Sequence, residues 1–171
     1  MSDGRKVVFR QPRRWDTHEQ KRALRKIGDA NWERYRRPLV EEQWLYNMNQ
    51  RCKAPPYRGE TPGVLPLTIE VESEAVGFCD IFFKYGADFP RFLVEPEDKC
   101  ANGSIIVADK YQGMGLGYMY SEMSDYIARH YGCKWILGRT YRVGGMRSIR
   151  SKDDWEIIRV DGDYVEHRKL L

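Results

Sequence analysis

Residues 107–118 read VADKYQGMGLGY. The β-branched run just before, residues 104–108, stops at a charged turn, Asp109-Lys110. Glycines then alternate with bulky residues at Gly113, Gly115 and Gly117, and an amphipathic segment follows at once. Glycines between a strand end and a helix start let the backbone approach a ligand and point its N–H groups at an anion. The helix dipole adds partial positive charge at the same place. The stretch therefore reads first as a site for phosphate or pyrophosphate. It is not the dinucleotide fingerprint, which needs G-x-G-x-x-G, and no Gly-Lys-Ser/Thr follows to make a P-loop.

What fits is Gln112-x-x-Gly115-x-Gly117, preceded by Val107 and Tyr111. This resembles the acetyl-coenzyme A loop of the GNAT superfamily of N-acetyltransferases, V-x-x-x-Y-R/Q-G-x-G-x-G/A. The order of elements along the rest of the chain is similar to that superfamily from end to end.

The 171 residues suit a single domain, residues 1–171. Hydrophobic and charged fractions of 42% and 32% are those of a globular protein. No apolar run approaches the roughly 20 residues of a membrane span. The start, MSDGRKVVFRQPRR, has no apolar core, so no secretory signal is expected and a cytoplasmic location is. Cys52, Cys79, Cys100 and Cys133 form no CxxC or Cys/His cluster, so no metal site is expected. The net charge of +4 is uneven, with basic clusters in residues 1–37 and 139–152. Such charge suits an acidic partner: a phosphorylated cofactor, a nucleic acid or an acidic protein.

Read in order, residues 6–10 form a first strand. Two or three helices are expected over about 17–51, where Val40, Trp44, Leu45 and Met48 make the cleanest stripe. Residues 53–66 hold four prolines and two glycines and read as a loop, long enough to line an acceptor pocket. Residues 67–72 alternate as a strand, Ser73-Glu74 turns, and residues 75–85 return as its hairpin partner. Residues 86–103 read as irregular and 104–108 as the next strand. The apolar residues of 114–131 recur every three or four positions, an assured helix, with Gly132 as its stop. Residues 134–141 make a strand and 146–152 a short helix. Residues 155–160 and 164–169 make a hairpin around Asp161-Gly162-Asp163. The fold class is α/β.

The resemblance implies a central mixed, mostly antiparallel twisted sheet flanked by helices, splayed between the strands near 104–108 and 134–140. It implies acetyl-coenzyme A, or another acyl-coenzyme A, as co-substrate. Backbone groups of Ile105, Ile106 and Val107 would pair with the pantetheine arm. The amides of Gln112, Gly113, Met114, Gly115, Leu116 and Gly117 would hold the pyrophosphate, with Gln112 closing the turn. The later pattern N-x-R/K-A/S-x-x-x-Y is met in part: Arg147, Ser148 and Ile149 match, whereas Gly145 replaces the Asn and Lys152 stands where the Tyr should. With the usual thiolate-protonating tyrosine absent by position, Tyr141 at the end of its strand is the substitute, and Ser148 the second choice. For the base, Asp80 on a neighbouring strand is the first candidate, with Glu97 or Asp98 behind it.

The expected activity is transfer of an acetyl group from acetyl-coenzyme A to an amine acceptor of unknown identity by direct attack on the thioester. The basic balance argues against a polyamine. Two alternatives stand beside it. One is a GNAT-fold enzyme that modifies nucleic acid, with Arg13, Arg14, Lys21, Arg22, Arg25, Lys26, Arg36 and Arg37 on phosphates. The other is a non-catalytic binding module. The chain is expected to be a monomer or homodimer.

Overall fold

The computed structural model describes residues 4–13, 25–28, 63–141 and 154–171. The helices expected over 17–51, most of the 53–66 loop and the short helix carrying Arg147 and Ser148 lie outside the described residues. The described strands are β1 (Val7–Arg10), β2 (Val64–Val71), β3 (Glu74–Tyr85), β4 (Lys99–Val107), β5 (Trp135–Tyr141), β6 (Glu156–Asp161) and β7 (Tyr164–Leu170). One α-helix, α1 (Leu116–His130), stands among the described residues, between β4 and β5. The strands form an open mixed sheet in the order β1-β2-β3-β4-β5-β7-β6. β1 pairs with β2, β5 with β7 and β6 with β7 antiparallel; β4 and β5 are parallel, as a crossover through α1 requires.

The chain divides into two compact units. The first takes the described residues of Met1–Glu60 together with Leu65–Asp80 and Ser104–Leu116. Its core comes from both faces of β2 and β3: Ile69, Val71, Val76 and Phe78 are buried, and so is Thr68, which simple alternation would leave outside. A strand covered on both sides carries apolar residues nearly without interruption, and residues 75–81 of β3 are all buried.

The hairpin turn between β2 and β3 lies at Glu72-Ser73, one residue earlier than the sequence predicts. Both residues have positive φ, 51° and 67°. A two-residue hairpin loop needs this so that its twist matches the strands. The Glu72 N–H and side chain are tied to the backbone of Lys6, which holds the turn against the start of β1.

The second unit takes Thr61–Val64, Ile81–Gly103 and Gly117–Leu171. Here β4 begins at Lys99, five residues before the predicted start. The segment KCANG has weak strand propensity of its own. It is recruited by β5 in a parallel ladder, Cys100 with Trp135, Ala101 with Ile136 and Asn102 with Leu137, and Asn102 Nδ2 donates to the Leu137 carbonyl at 3.1 Å. Phe92, Cys100 and Leu137 form a core there, joined by Phe89, Val94, Trp135 and Ile158. The apolar segment predicted as irregular thus packs through two 3₁₀ turns, Gly86–Asp88 and Pro90–Phe92.

Helix α1 buries Leu116, Ser124 and Ala128 on one line. Ser124 is admitted because its Oγ donates to the Tyr120 carbonyl at 2.8 Å. The helix ends in a Schellman motif: Gly132 has φ 68°, Cys133 N donates to Ala128 O at 2.9 Å and Gly132 N to Arg129 O at 3.0 Å. Lys169 on β7 anchors the helix through Asp125 at 2.6 Å.

Cys79, Cys100 and Cys133 are free and buried. Burial pushes the Cys100 thiol up to about 12 and the Cys133 thiol up to about 11, so both are inert packing groups.

On β7, His167 is 5% exposed and lies opposite Gly138 of β5. A Cβ at Gly138 would stand 2.1 Å from the imidazole Cε1, so only glycine admits the ring. Its Nε2 pairs with Thr140 Oγ1 at 2.7 Å and Trp155 meets it edge-on at 4.6 Å. Burial lowers its pKa from 6.5 to about 4. In the unfolded chain the ring takes its proton near the higher value, in the fold only near the lower. Between the two, the unfolded state binds more protons, so stability falls as pH drops through that window. Thermal unfolding followed from pH 7 to pH 4 is expected to show this loss, up to roughly 3 kcal/mol, and His167→Gln is expected to flatten it.

Candidate active site

The glycine loop is built from its base upward. Strand β4 ends at Val107, a 3₁₀ turn runs over Asp109–Tyr111, and α1 starts at Leu116. Ala108 is fully buried and its N–H donates to Val76 O at 2.8 Å. Tyr111 is buried, and its hydroxyl donates to Glu74 Oε2 at 2.8 Å. Lys26 also binds Glu74. Lys26 and then Tyr111 hold the Glu74 carboxyl below its ordinary range, and the same Glu74 bond pushes the Tyr111 phenol up. Asp109 accepts the Gly28 N–H on Oδ2 at 3.0 Å. Gln112 Nε2 donates to Val107 O at 3.0 Å and to Asp109 Oδ1 at 3.1 Å. Gln112 thus ties the end of β4 to the turn.

Above this base the loop is bare. Gly113 and Gly115 have φ of 74° and 86°, where an L side chain is strained. A Cβ at Gly113, Gly115 or Gly117 would meet no atom within 4 Å, so open space lies over all three. The first N–H groups of a helix have no intrahelical acceptor, and the first turn of α1 holds no acidic residue to compete for them. Leu116 is buried and anchors the helix start. Arg5 Nη2 contacts Met114 Sδ at 3.2 Å, and Lys110 Nζ lies 5.3 Å from the Tyr111 ring centre. These two cations beside the loop, and the Lys26–Glu74–Tyr111 clasp below it, are partners the sequence did not disclose. The arrangement suits a phosphorylated ligand: bare donors, positive charge and no side chain in the way.

Ile106 is buried on β4, with Ile105 and Val107 half-buried on either side. The ladder with β5 takes up residues 100–102 of β4 and 135–137 of β5, whereas β4 runs on to Val107 and β5 to Tyr141. Asp80 on β3 is buried, and its Oδ1 accepts both the N–H and the hydroxyl of Ser104, at 3.0 and 2.7 Å. Tyr141 is the last residue of β5, its backbone paired with Tyr164. Asp98 binds Lys134 Nζ at 2.8 Å and Trp135 Nε1 at 2.7 Å, and the first of these bonds holds its carboxyl low. It serves the paired beginning of β4 and β5. Among the described residues no group of His, Cys, Asp and Glu could hold a metal ion, and no helix is long and apolar enough to cross a membrane.

No protein-family model and no curated protein sequence matches the chain. Solved structures do. The PaiA N-acetyltransferase of Thermoplasma acidophilum in complex with coenzyme A aligns at a TM-score of 0.65 with 12% identity, over 97% of this chain and 99% of that one. The GNAT domain of S. lividans PAT aligns at 0.70 with 14% identity, over 98% and 90%. A chimera of the spermidine N-acetyltransferase SpeG from Vibrio cholerae and hSSAT aligns at 0.57 with 13% identity, over 96% and 94%. The chain has the GNAT fold along nearly its whole length.

The clasp can be tested without any ligand. Tyr111→Phe removes the hydroxyl that meets Glu74 and is expected to lower stability by about 1 kcal/mol, read by urea denaturation.

Proposed function

We propose that the protein is an acyl-coenzyme A-dependent N-acyltransferase that acetylates an amine. The observation that carries this reading is the glycine loop. It combines positive-φ glycines with open space above them, a helix start behind them and a Gln112 clip beneath. The fold it shares with acetyltransferases, one of them in complex with coenzyme A, supports the same reading.

In this reading the N–H groups of residues 112–117 hold the pyrophosphate, and Arg147 adds charge from outside the described residues. The backbone of Ile105, Ile106 and Val107, which runs past the end of the β4–β5 ladder, pairs with the pantetheine arm. The co-substrate supplies an activated acyl carbon. The chain's residues must strip a proton from the acceptor ammonium, orient the neutral nitrogen at the thioester carbonyl, and return a proton to the departing sulfur. Asp80 is the proposed base, as a buried carboxylate on the strand beside β4. Tyr141, at the end of β5 beyond the ladder, is proposed to protonate the thiolate, with Ser148 as the second choice. A backbone N–H of β4 is the proposed oxyanion donor.

Gly115→Glu adds bulk and negative charge over the loop and is expected to abolish coenzyme A binding by calorimetry. Affinity that survives this change removes the loop from the cofactor site. Asp80→Asn is expected to lower kcat by roughly 100-fold, with the KM for acetyl-coenzyme A unchanged. Weakened coenzyme A affinity at unchanged kcat would make Asp80 instead a residue that positions Ser104 on β4.

A further inference from the structure

The second unit carries a cluster that the loop chemistry does not use. Glu166 on β7 is 1% exposed, and its Oε2 has no hydrogen-bond partner among the described residues. Its opposite numbers in the sheet are both arginines: Arg139 on β5 and Arg159 on β6. Residues directly opposite one another share a face, so the three side chains lie together. Arg91, from the 3₁₀ turn Pro90–Phe92, joins them, and Asp161 lies on the same face of β6.

A carboxylate this buried among guanidiniums would ordinarily be gripped by short, bidentate bonds. Here none forms. Arg91 and Arg139 each approach Glu166 Oε1 only to 4.0 Å. Arg139 and Arg159 approach Asp161 only to 3.9 and 3.8 Å. Among the described residues the arginines are gathered by charge without spending their N–H donors, and all three remain exposed. Arg139 is steadied on its flat side by the Tyr164 ring, 4.2 Å away. Among the described residues of the cluster three guanidiniums face two carboxylates, which leaves one positive charge over. An anion with two in-plane oxygens matches that charge and those forks.

Position ties the cluster to the acyl-transfer reading. The last β5 residue paired with β4 is Leu137, and Arg139 is the next residue on the same face. The cluster therefore borders the half of β5 that runs on past the ladder.

We infer that Arg139, Arg159 and Arg91 bind an oxyanion on the acceptor, so that the amine acetylated is one that also carries a carboxylate or a phosphate. This rests on the acyltransferase reading above. Glu166 is a positioning residue that holds the guanidiniums on this face. A purely cationic amine such as a polyamine meets repulsion here.

The test follows the side-chain N–H resonances of the arginines in the coenzyme A-loaded protein. N-acetylglycine and N-acetyl-O-phosphoethanolamine represent the two oxyanions in product form, and N-methylacetamide is the uncharged control. At least one oxyanion is expected to shift Arg139 and Arg159 while the control does not; which one acts identifies the acid group. Arg139→Gln with Arg159→Gln is expected to weaken that binding roughly tenfold at unchanged coenzyme A affinity. Resonances unmoved by either oxyanion, in a protein that still binds coenzyme A, overturn this inference alone. Absence of coenzyme A binding overturns the acyltransferase reading itself.

Discussion

A loop that offers its backbone N–H groups to a ligand cannot use those groups, or bulky side chains, to hold its own shape. On the proposed reading the glycine loop is such a loop, and contacts of the first unit hold it from underneath. Gln112 reaches back to Val107 O and Asp109 Oδ1 and closes the turn below the glycines. Asp109 is in turn held by the Gly28 N–H, and Tyr111 by Glu74. Leu116 is buried at the helix start. Three glycines can therefore be exposed in one short stretch without leaving it shapeless.

The second unit solves a different problem, that of keeping polar groups inside β7. His167 and Glu166 are neighbours in sequence and so face opposite sides of the sheet. Each is buried, and each keeps one polar atom without a hydrogen-bond partner among the described residues. The imidazole is accommodated by neutrality: Gly138 makes room, Thr140 and Trp155 surround it, and burial keeps it unprotonated. The carboxylate is accommodated by charge, with arginines drawn near it. The first arrangement is enclosed: the ring is buried among these groups. The second leaves guanidinium donors turned outward, which is why it invites a ligand and the first does not.

Most of the fold was legible in the sequence, and for local reasons. Helix α1 was visible because its apolar spacing and Gly132 are properties of one continuous segment. The β6–β7 hairpin was visible because Gly162 sits in its turn, with φ 58°. The errors fell where a distant partner decides. The segment KCANG looked irregular until β5 paired with it. Glu72 and Ser73 are poor candidates for positive φ, and the register of β2 against β1 and β3 imposes it on them. Asp98, named in the sequence only as a candidate behind Asp80, binds Lys134 and Trp135, partners that its own stretch does not disclose.

What the sequence by itself determined is the shape of the loop. Gln112, Gly113, Gly115 and Gly117 act through backbone torsions and a clip five residues long, all encoded within one stretch. What only the tertiary structure decided is the company that distant residues keep. Lys26, Glu74 and Tyr111 form one clasp through contacts between segments far apart in the chain, and strand register brings Arg139, Arg159 and Glu166 to one place, where Arg91 joins them from a turn. Register is set by the pairing of whole strands, and no single stretch of the chain contains it.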